Sequence, residues 1–291
     1  MTIIAGFRCE DGIVLCADSQ ETLGTAKRSV PKLRFEPRNP ITGIEDNFSN
    51  LAAAFCGAGD GPFIDKLVEE SWKAAKNGLS LDEVCASIEA TIKNTYREFG
   101  EIYQRGECPE VQLIYGAKMN GESRLFSAMG PIVVEKFEFD TGGVGHYMAD
   151  FLASKLHDNE LTVRQVTILA AYVLMEATEH VDGCGGDNQI AVLRNSESSG
   201  TVSETKLYDV RDLIKFADWA AGAIVLAISD MDKDDMELKD EVERELQLLQ
   251  TTRDHIRHQQ RNKYAPEYLK TLDYLGLPIK QSISQTSKLE P

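Results

Sequence analysis

The sequence predicts an α+β protein in which two antiparallel sheets pack together with pairs of helices outside them. Short segments rich in branched apolar residues occur in runs, and the helix-like segments between these runs occur in pairs. This order does not alternate one strand with one helix, as a parallel doubly wound sheet requires. With 291 residues, 42% of them apolar, the chain is long enough to bury a sizeable core.

The first two predicted strands, Ile3–Cys9 and Ile13–Asp18, form a hairpin. Two charged residues and Gly12 separate them, which suits a three-residue loop with glycine in the left-handed conformation. In that register Thr2 shares a face with Asp18, at a diagonal distance of about 7 to 8 Å. A two-residue loop would instead turn Asp18 to the other face.

Two more strands and the first helix pair follow. Lys32–Glu36 alternates as a strand behind a proline, and Leu51–Cys56 is a buried-looking strand that ends at a glycine-rich turn. Phe63–Lys76 has apolar residues at helical spacing. Ser80 is the expected N-cap of a second helix, which runs to about Phe99.

The second half of the chain repeats this order of strands and paired helices. The predicted strands are Val111–Lys118, Arg124–Met129, Pro131–Phe139, Gln189–Arg194 and Thr201–Leu207. The predicted helices are Val144–Leu156, which a glycine pair precedes, Leu161–His180 and Asp209–Ser229. These segments complete two sheets and two helix pairs.

The composition changes near residue 230. From Asp230 the sequence is dense in charged residues, yet it keeps leucines at helical spacing, which predicts an added helix that docks on the core or on a neighbour. A polar tail follows Pro278. We therefore expect a main domain over residues 2–230 and a charged helical extension over residues 231–291.

Charge and composition exclude several classes of function. Lys plus Arg is 31 and Asp plus Glu is 47, and the net charge of −16 repels nucleic acid and anionic membranes. No window resembles a membrane span or a secretory signal, so we expect a cytoplasmic protein. The six cysteines are scattered without a CxxC pair, which predicts buried thiols and neither disulfides nor a metal site. Nothing in the sequence calls for a cofactor.

The start of the chain contains a candidate nucleophile. A threonine hydroxyl is a weak nucleophile unless a base lies beside it, and the free α-amino group of an N-terminal threonine is such a base, with a pKa of about 8. Thr2 becomes N-terminal when methionine aminopeptidase removes Met1. A lysine held nearby by a carboxylate would favour the ionised hydroxyl, and Lys32 with Asp18 is the candidate pair.

On these residues the sequence resembles the β-type subunits of proteasomes, which are N-terminal nucleophile hydrolases. The segment TIIAGFRCEDGIVLCADSQETLG resembles the family's start, with Thr2 at the nucleophile position, Asp18 in the ADS motif and Lys32 in a KL pair. The glycine-rich turn at residues 56–60 and the aspartate loop at residues 182–186 are also similar. The resemblance covers roughly residues 2–207 and points to a divergent bacterial-like member.

The resemblance implies a four-layer αββα sandwich and threonine-type peptide hydrolysis. Gly57, with Ala58 beside it, would face the developing oxyanion. The backbone of Thr22 would pair with an extended substrate, Glu21 would line the first specificity pocket, and Asp182 would join the catalytic group. The implied substrate is a peptide or an unfolded protein, and the implied assembly is a homo-oligomeric ring. An ATP-dependent unfoldase is a candidate partner.

Two positions depart from the family pattern and leave a second hypothesis open. The family usually has serines that form hydrogen bonds near the nucleophile, and this sequence has Val144 and Gly185 at the corresponding places. Loss of both hydroxyls would loosen the hold on the α-amino group of Thr2. The alternative to a peptidase is therefore a non-catalytic, structural ring subunit with the same fold.

Overall fold

The structure is a computed structural model that describes residues 2–23, 26–38, 45–102, 108–196, 198–202, 204–229 and 234–263. The described strands are β1 (Ile3–Cys9), β2 (Gly12–Ala17), β3 (Gln20–Leu23), β4 (Ala26–Ser29), β5 (Leu33–Glu36), β6 (Leu51–Gly59), β7 (Val111–Met119), β8 (Glu122–Met129), β9 (Ile132–Lys136), β10 (Phe139–Gly143), β11 (Gln189–Arg194) and β12 (Gly200–Thr201). The described helices are α1 (Gly61–Ala75), α2 (Leu81–Ile102), α3 (His146–Leu156), α4 (Val163–His180), α5 (Glu204–Ser229) and α6 (Asp235–Lys263).

The described strands form three antiparallel sheets. The first five-stranded sheet has the order β10-β1-β2-β11-β12, and the second has the order β5-β6-β7-β8-β9. Strands β3 and β4 form a two-stranded sheet of their own. Every pairing between the described strands is antiparallel. The prediction of an α+β protein with antiparallel sheets is therefore confirmed, and the small third sheet is an addition to it.

The two five-stranded sheets face each other across a core of buried apolar side chains. Ile4 and Leu15 of the first sheet lie in one cluster with Ala54 and Ile114 of the second. A Cβ atom on Gly6 would lie 2.6 Å from Cγ2 of Ile114, so a larger residue would push the sheets apart. Close packing of the two sheets fixes the relative positions of the strand ends that carry the candidate site.

Helices α1 and α2 cover the opposite face of the second sheet. Asp60 caps α1, because its Oδ1 accepts a hydrogen bond of 2.9 Å from the backbone N–H of Phe63. Leu67 of α1 and Ile88 of α2 pack in one buried cluster with Tyr115 of β7. The helical spacing of these apolar residues therefore marks the faces that meet the sheet.

Helices α3 and α4 contact the first sheet. Helix α4 packs on β1, β2 and β11, and α3 packs on α4, β1 and β10. Thr162 and Gln165 form a capping box at the start of α4, in which each side chain accepts a hydrogen bond from the other residue's backbone N–H. Strand β10 ends at Gly143, and a turn of two residues separates it from the start of α3.

The register of the N-terminal hairpin differs from the prediction by one residue. Cys9 pairs with Gly12, so the turn contains two residues and not three. The turn is held from outside, because Asp11 Oδ1 accepts a 2.6 Å hydrogen bond from the N–H of Val163. Asp18 consequently lies opposite Ile3, and the predicted shared face with Thr2 is wrong.

Two predicted strands also differ from the structure. The strand predicted at Pro131–Phe139 is two strands, because the chain bends at residues 137–138 and moves from the second sheet to the first. The strand predicted at Thr201–Leu207 is only the short β12, and α5 begins at Glu204. Leu207, Val210 and Ile214 are spaced as on one face of a helix, which explains the second difference.

The chain divides into two compact units, Met1–Leu207 and Tyr208–Pro291. The second unit includes most of α5 and all of α6. Val210, Ile214 and Ala220 of α5 are buried. The division predicted from composition, at residue 230, stays a prediction, and so does the docking of the charged helix. The polar tail lies outside the described residues.

No described helix is both long and apolar enough to span a membrane. All six cysteines are free thiols, and Cys108 alone among them is exposed. Burial raises the pKa of Cys16 to about 12 and the pKa of Cys85 to about 12, since a thiolate would lose its hydration there. In the folded protein these two thiols therefore stay protonated at a pH above about 9, at which the same thiols lose their protons in the unfolded chain.

This difference in proton binding makes alkaline stability a test of the packing around Cys16. A group whose folded pKa is raised contributes less stability as the pH rises from its unfolded pKa, about 9, towards its folded pKa. In urea unfolding under reducing conditions, we expect wild type to lose about 1 kcal/mol more per pH unit than Cys16→Ala between pH 9 and about 11. Equal pH slopes in the two proteins would contradict this prediction.

Candidate active site

A buried ion pair between Lys32 and Asp18 forms the centre of the candidate site. Lys32 Nζ lies 2.7 Å from Asp18 Oδ1, and the two side chains are 8% and 0% exposed. Asp18 directly follows β2, and Lys32 directly precedes β5, so the packing of the two sheets brings the residues together. Nζ of Lys32 also donates a hydrogen bond to the backbone carbonyl of Gln20. The pair predicted from the sequence is thus present.

Asp18 connects this ion pair to the start of the chain. Its Oδ1 atom accepts a hydrogen bond of 3.1 Å from the N–H of Ile3, in addition to the bond from Lys32. The peptide group between Thr2 and Ile3 therefore lies next to the ion pair. Thr2 is itself buried, with 8% of its surface exposed. The contact reaches Thr2 through the backbone of Ile3.

A glycine turn holds the carbonyl group of Thr2. The N–H of Gly145 donates to this carbonyl at 3.2 Å. A Cβ atom on Gly143 would lie only 2.2 Å from the carbonyl oxygen, and Gly143 has a φ of +79°, so no other residue fits without strain. Val144 lies between them and is 39% exposed. This turn supports Thr2 through its backbone and offers no hydroxyl from residue 144.

The loop that precedes β11 contacts Asp18 from the other side. The N–H of Gly185 donates to Asp18 Oδ2 at 3.0 Å, and the carbonyl of Gly185 accepts hydrogen bonds from Ser19 and Gln20. A Cβ atom on Gly185 would lie 2.6 Å from Oε1 of Gln20. The carboxamide of Gln20 therefore occupies the space where a side chain at residue 185 would lie. Asp182, from the same loop, is exposed.

The environment of Lys32 changes the pKa of its ammonium group. Burial lowers this pKa below 10.5, because the charged form loses its hydration. The hydrogen bond and the charge of Asp18 oppose that effect. Asp18 thus holds the ammonium group of Lys32 through the same Oδ1 atom that accepts from the N–H of Ile3.

A second polar cluster, which is not among the predicted site residues, fixes the loop. Ser19 Oγ accepts hydrogen bonds from the N–H of Asp187, at 2.6 Å, and from the hydroxyl of Ser29, at 2.9 Å. Gly186 packs directly on Ser19. Ser19 is the serine of the ADS motif, so the motif pointed to this residue but not to its hydrogen-bond partners. The cluster joins the hairpin of β3 and β4 to the loop that contacts Asp18.

The end of β6 lies beside Lys32, within the second sheet. The N–H of Gly57 donates to the backbone carbonyl of Lys32 at 3.3 Å, a long hydrogen bond. Pairing between β5 and β6 ends at Leu33 and Cys56. Because backbone groups alternate along a strand, Gly59 presents its N–H on the same side as Gly57, where β5 has ended. Ala58 is buried and pairs with β7.

Strand β3 carries the two residues predicted to contact substrate. Thr22 pairs with Lys27 of β4, and Glu21 pairs with Arg28, with which it forms an ion pair. Glu21 Oε1 lies 3.8 Å from the place that a Cβ atom of Gly61 would occupy, which puts β3 beside the start of α1. Arg28 therefore offsets the charge of Glu21.

The described residues contain no group of three or more His, Cys, Asp or Glu side chains arranged to hold a metal ion. The structure brings together Thr2, Asp18, Lys32 and Gly57, which the sequence had singled out. It adds the loop around Gly185 as a supporting element.

Comparison with solved structures shows the fold. The chain superimposes on Anbu (Gly-1) mutant from Hyphomicrobium sp. strain MC1 with a TM-score of 0.59 and 14% identity, over 81% of this chain and 100% of that chain. Anbu from Yersinia bercovieri, described as an ancestral beta-subunit, gives a TM-score of 0.59 and 14% identity, over 80% of this chain and 100% of that chain. The helical assembly of the Anbu complex from Pseudomonas aeruginosa gives a TM-score of 0.59 and 14% identity, over 81% of this chain and 99% of that chain.

No protein-family model matches the sequence. No curated protein matches it either. At 14% identity, the similarity to the Anbu structures shows a shared fold.

Proposed function

We propose that this protein is a threonine-type endopeptidase of the N-terminal nucleophile hydrolase class, with the four-layer αββα sandwich of that class. The observation that carries the proposal is the buried ion pair of Lys32 and Asp18 next to the peptide group that joins Thr2 to Ile3. The fold shared with the Anbu structures supports the class, because one of them is described as an ancestral beta-subunit.

The proposed reaction begins when removal of Met1 frees the α-amino group of Thr2. Oγ1 of Thr2 attacks the carbonyl carbon of the scissile peptide bond, and its proton passes to the α-amino group, directly or through water. The ammonium of Lys32 lowers the cost of charge on Oγ1. The tetrahedral intermediate then breaks its C–N bond, and the leaving amine takes the proton. Water hydrolyses the resulting ester and regenerates Thr2.

The oxyanion of the intermediate needs backbone donors, and Gly57 is the proposed one. In the structure its N–H already donates to the carbonyl of Lys32, but the bond is long. A developing negative charge is a stronger acceptor than a neutral carbonyl, so the N–H would turn towards the oxyanion. Ala58 lies beside this donor as part of the same strand end.

The proposed substrate is an extended peptide or unfolded protein that binds by strand addition. Among the described strands, β3 pairs with β4 on one side only, and β6 loses its neighbour after Cys56. Backbone groups of Thr22 and Gly59 would pair with the substrate from these two edges. Glu21 would contact the side chain next to the scissile bond. A catalytic role for Asp182 stays part of the proposal, although its exposure gives it less support.

The proposed assembly is a homo-oligomer, closed as a ring or open as a helix. The Anbu complex from Pseudomonas aeruginosa forms a helical assembly. An ATP-dependent unfoldase stays a candidate partner for such an assembly. The second candidate function is a non-catalytic subunit of the same assembly, and Val144 and Gly185 favour it, because neither supplies the hydroxyl that would hold the α-amino group.

The test is the chemical state of residue 2 in purified protein. We expect the intact mass to lack Met1, and we expect a peptide epoxyketone to label Thr2, since this warhead reacts with both the hydroxyl and the α-amino group of an N-terminal threonine. Mass spectrometry of the N-terminal peptide locates the label. The same peptide without the epoxide is the control. Retention of Met1 together with absence of labelling would contradict the peptidase proposal.

A further inference from the structure

Gln189, the first residue of β11, reaches from the first sheet to the residues at the start of β5. Its side-chain Oε1 accepts hydrogen bonds from two successive backbone N–H groups, those of Lys32 and Leu33, at 2.9 Å each. Its Nε2 donates to the carbonyl of Val30 at 3.4 Å. One carboxamide therefore contacts the backbone before, at and after the lysine of the candidate site.

The position of Gln189 explains why its side chain can cross between the sheets. Ala191 and Leu193, the next residues on the same face of β11, lie in the apolar cluster between the two sheets. Gln189 pairs with Ala17, immediately before Asp18. Gln189 is thus the polar first residue on a face of β11 that is otherwise apolar. It lies beside the ion pair, where the ends of strands from both sheets meet.

Lys32 is held at every polar group it has. Gln189 holds its backbone N–H, and Gly57 donates to its carbonyl. Its ammonium group donates to Asp18 and to the carbonyl of Gln20. A lysine side chain has four rotatable bonds, so the direction in which it leaves the backbone decides where the ammonium group lies. The backbone contacts set that direction.

We propose that Gln189 is a positioning residue that fixes the backbone of Lys32 and so keeps its ammonium group against Asp18. The catalytic consequence rests on the proposed function, whereas the effect on Lys32 itself does not. Two neighbouring N–H groups bound to one oxygen constrain the dihedral angles of Lys32. Without that acceptor the two donors would turn towards other partners, and the lysine would turn with them.

Two substitutions separate this role from general stability. Gln189→Leu keeps the approximate size and removes the acceptor, and Gln189→Glu keeps an acceptor oxygen. For peptide hydrolysis we expect Gln189→Leu to lower kcat about a hundredfold with KM changed less than about threefold, since misplacement of a catalytic group mainly affects the chemical step. Gln189→Glu should keep kcat within about fivefold of wild type.

A second measurement does not depend on hydrolysis. Brief labelling with acetic anhydride reports how accessible and how reactive each lysine is, and mass spectrometry reads it site by site. Lys118 is the internal reference, because it is also a buried lysine. It donates to the hydroxyl of Ser199, which accepts a second hydrogen bond from the N–H of Arg194, at the opposite end of β11 from Gln189. We expect Gln189→Leu to raise labelling of Lys32 at least about fivefold relative to Lys118, as local opening exposes it.

The matched control is Gln165→Leu, which removes the hydrogen bond that the backbone N–H of Thr162 donates to the Gln165 side chain, at the start of α4 and not at the site. It should leave both kcat and the labelling of Lys32 unchanged. Unchanged labelling of Lys32 in Gln189→Leu would overturn the proposal, and so would a Gln189→Glu variant as slow as Gln189→Leu. If wild type hydrolyses no peptide, the proposed function fails, while the labelling comparison still decides whether Gln189 positions Lys32.

Discussion

Substitution of Thr2 by alanine is expected to abolish peptide hydrolysis, with a fall in kcat of at least about a thousandfold. Alanine keeps the α-amino group and the backbone contacts of residue 2, but it has no oxygen to attack the carbonyl carbon. The backbone carbonyl of residue 2 would still accept from Gly145, so the fold around the site should not change. Fluorogenic peptides and epoxyketone labelling measure the loss.

Two controls make this result specific. Thr2→Ser retains a hydroxyl at the same place and should retain hydrolysis and labelling. Thr178→Ala removes a threonine hydroxyl that bonds within α4, to the carbonyl of Leu174, and should hydrolyse peptides as wild type does. Full activity in Thr2→Ala would contradict the catalytic role of Thr2. A non-catalytic subunit with the same fold would then describe the protein better.

Removal of the lysine from the buried ion pair is the second large effect that we expect. In Lys32→Met, the carboxylate of Asp18 stays buried and keeps the N–H groups of Ile3 and Gly185, but it loses its cation. Breaking a buried pair from one side costs roughly 3 to 5 kcal/mol of unfolding free energy. Hydrolysis should fall together with stability, because the charge that favours the alkoxide is gone.

The double variant Asp18→Asn/Lys32→Met separates stability from catalysis. Neutral partners avoid a buried unpaired charge, so the double variant should regain most of the unfolding free energy that the single variant loses. Its hydrolysis should stay low. Urea unfolding and peptide assays on the same preparations measure both quantities.

Lys73→Met is the matched control for this comparison. Lys73 forms ion pairs with Glu69 and Glu70 on the exposed face of α1, and about half of its side chain is exposed. Its loss should cost much less unfolding free energy than the loss of Lys32, since solvent screens exposed pairs. A Lys32→Met variant as stable as Lys73→Met would show that the buried pair contributes little to the fold.

Local patterns in the sequence predict the elements well and their pairing less well. The predicted β11 has the observed bounds, and the helices α1 and α2 are predicted to within about three residues, because their apolar spacing and the cap of α2 at Ser80 are local signals. The turn of the first hairpin is different. Asp11 of this turn accepts a hydrogen bond from the start of α4, and a contact so distant in sequence leaves no local signal.

The candidate site divides in the same way. Thr2, Asp18 and Lys32 could be predicted because motif and resemblance point to them together. The contacts of Gln189 with Lys32 and of Ser19 with Asp187 could not, since each joins residues more than 150 positions apart. Gly57 was predicted as a donor, but its bond to Lys32 appears only when β5 pairs with β6 in the second sheet.

The glycine turn at Gly143 and Gly145 has a consequence for when the chain could be trimmed. An aminopeptidase needs a loose, extended N-terminus, and in the folded protein the carbonyl of Thr2 is enclosed by this turn. Both glycines are translated long after Thr2, so the start of the chain leaves the ribosome well before its enclosure exists. Under the proposed function, removal of Met1 therefore belongs to the period of synthesis, before the turn closes over Thr2.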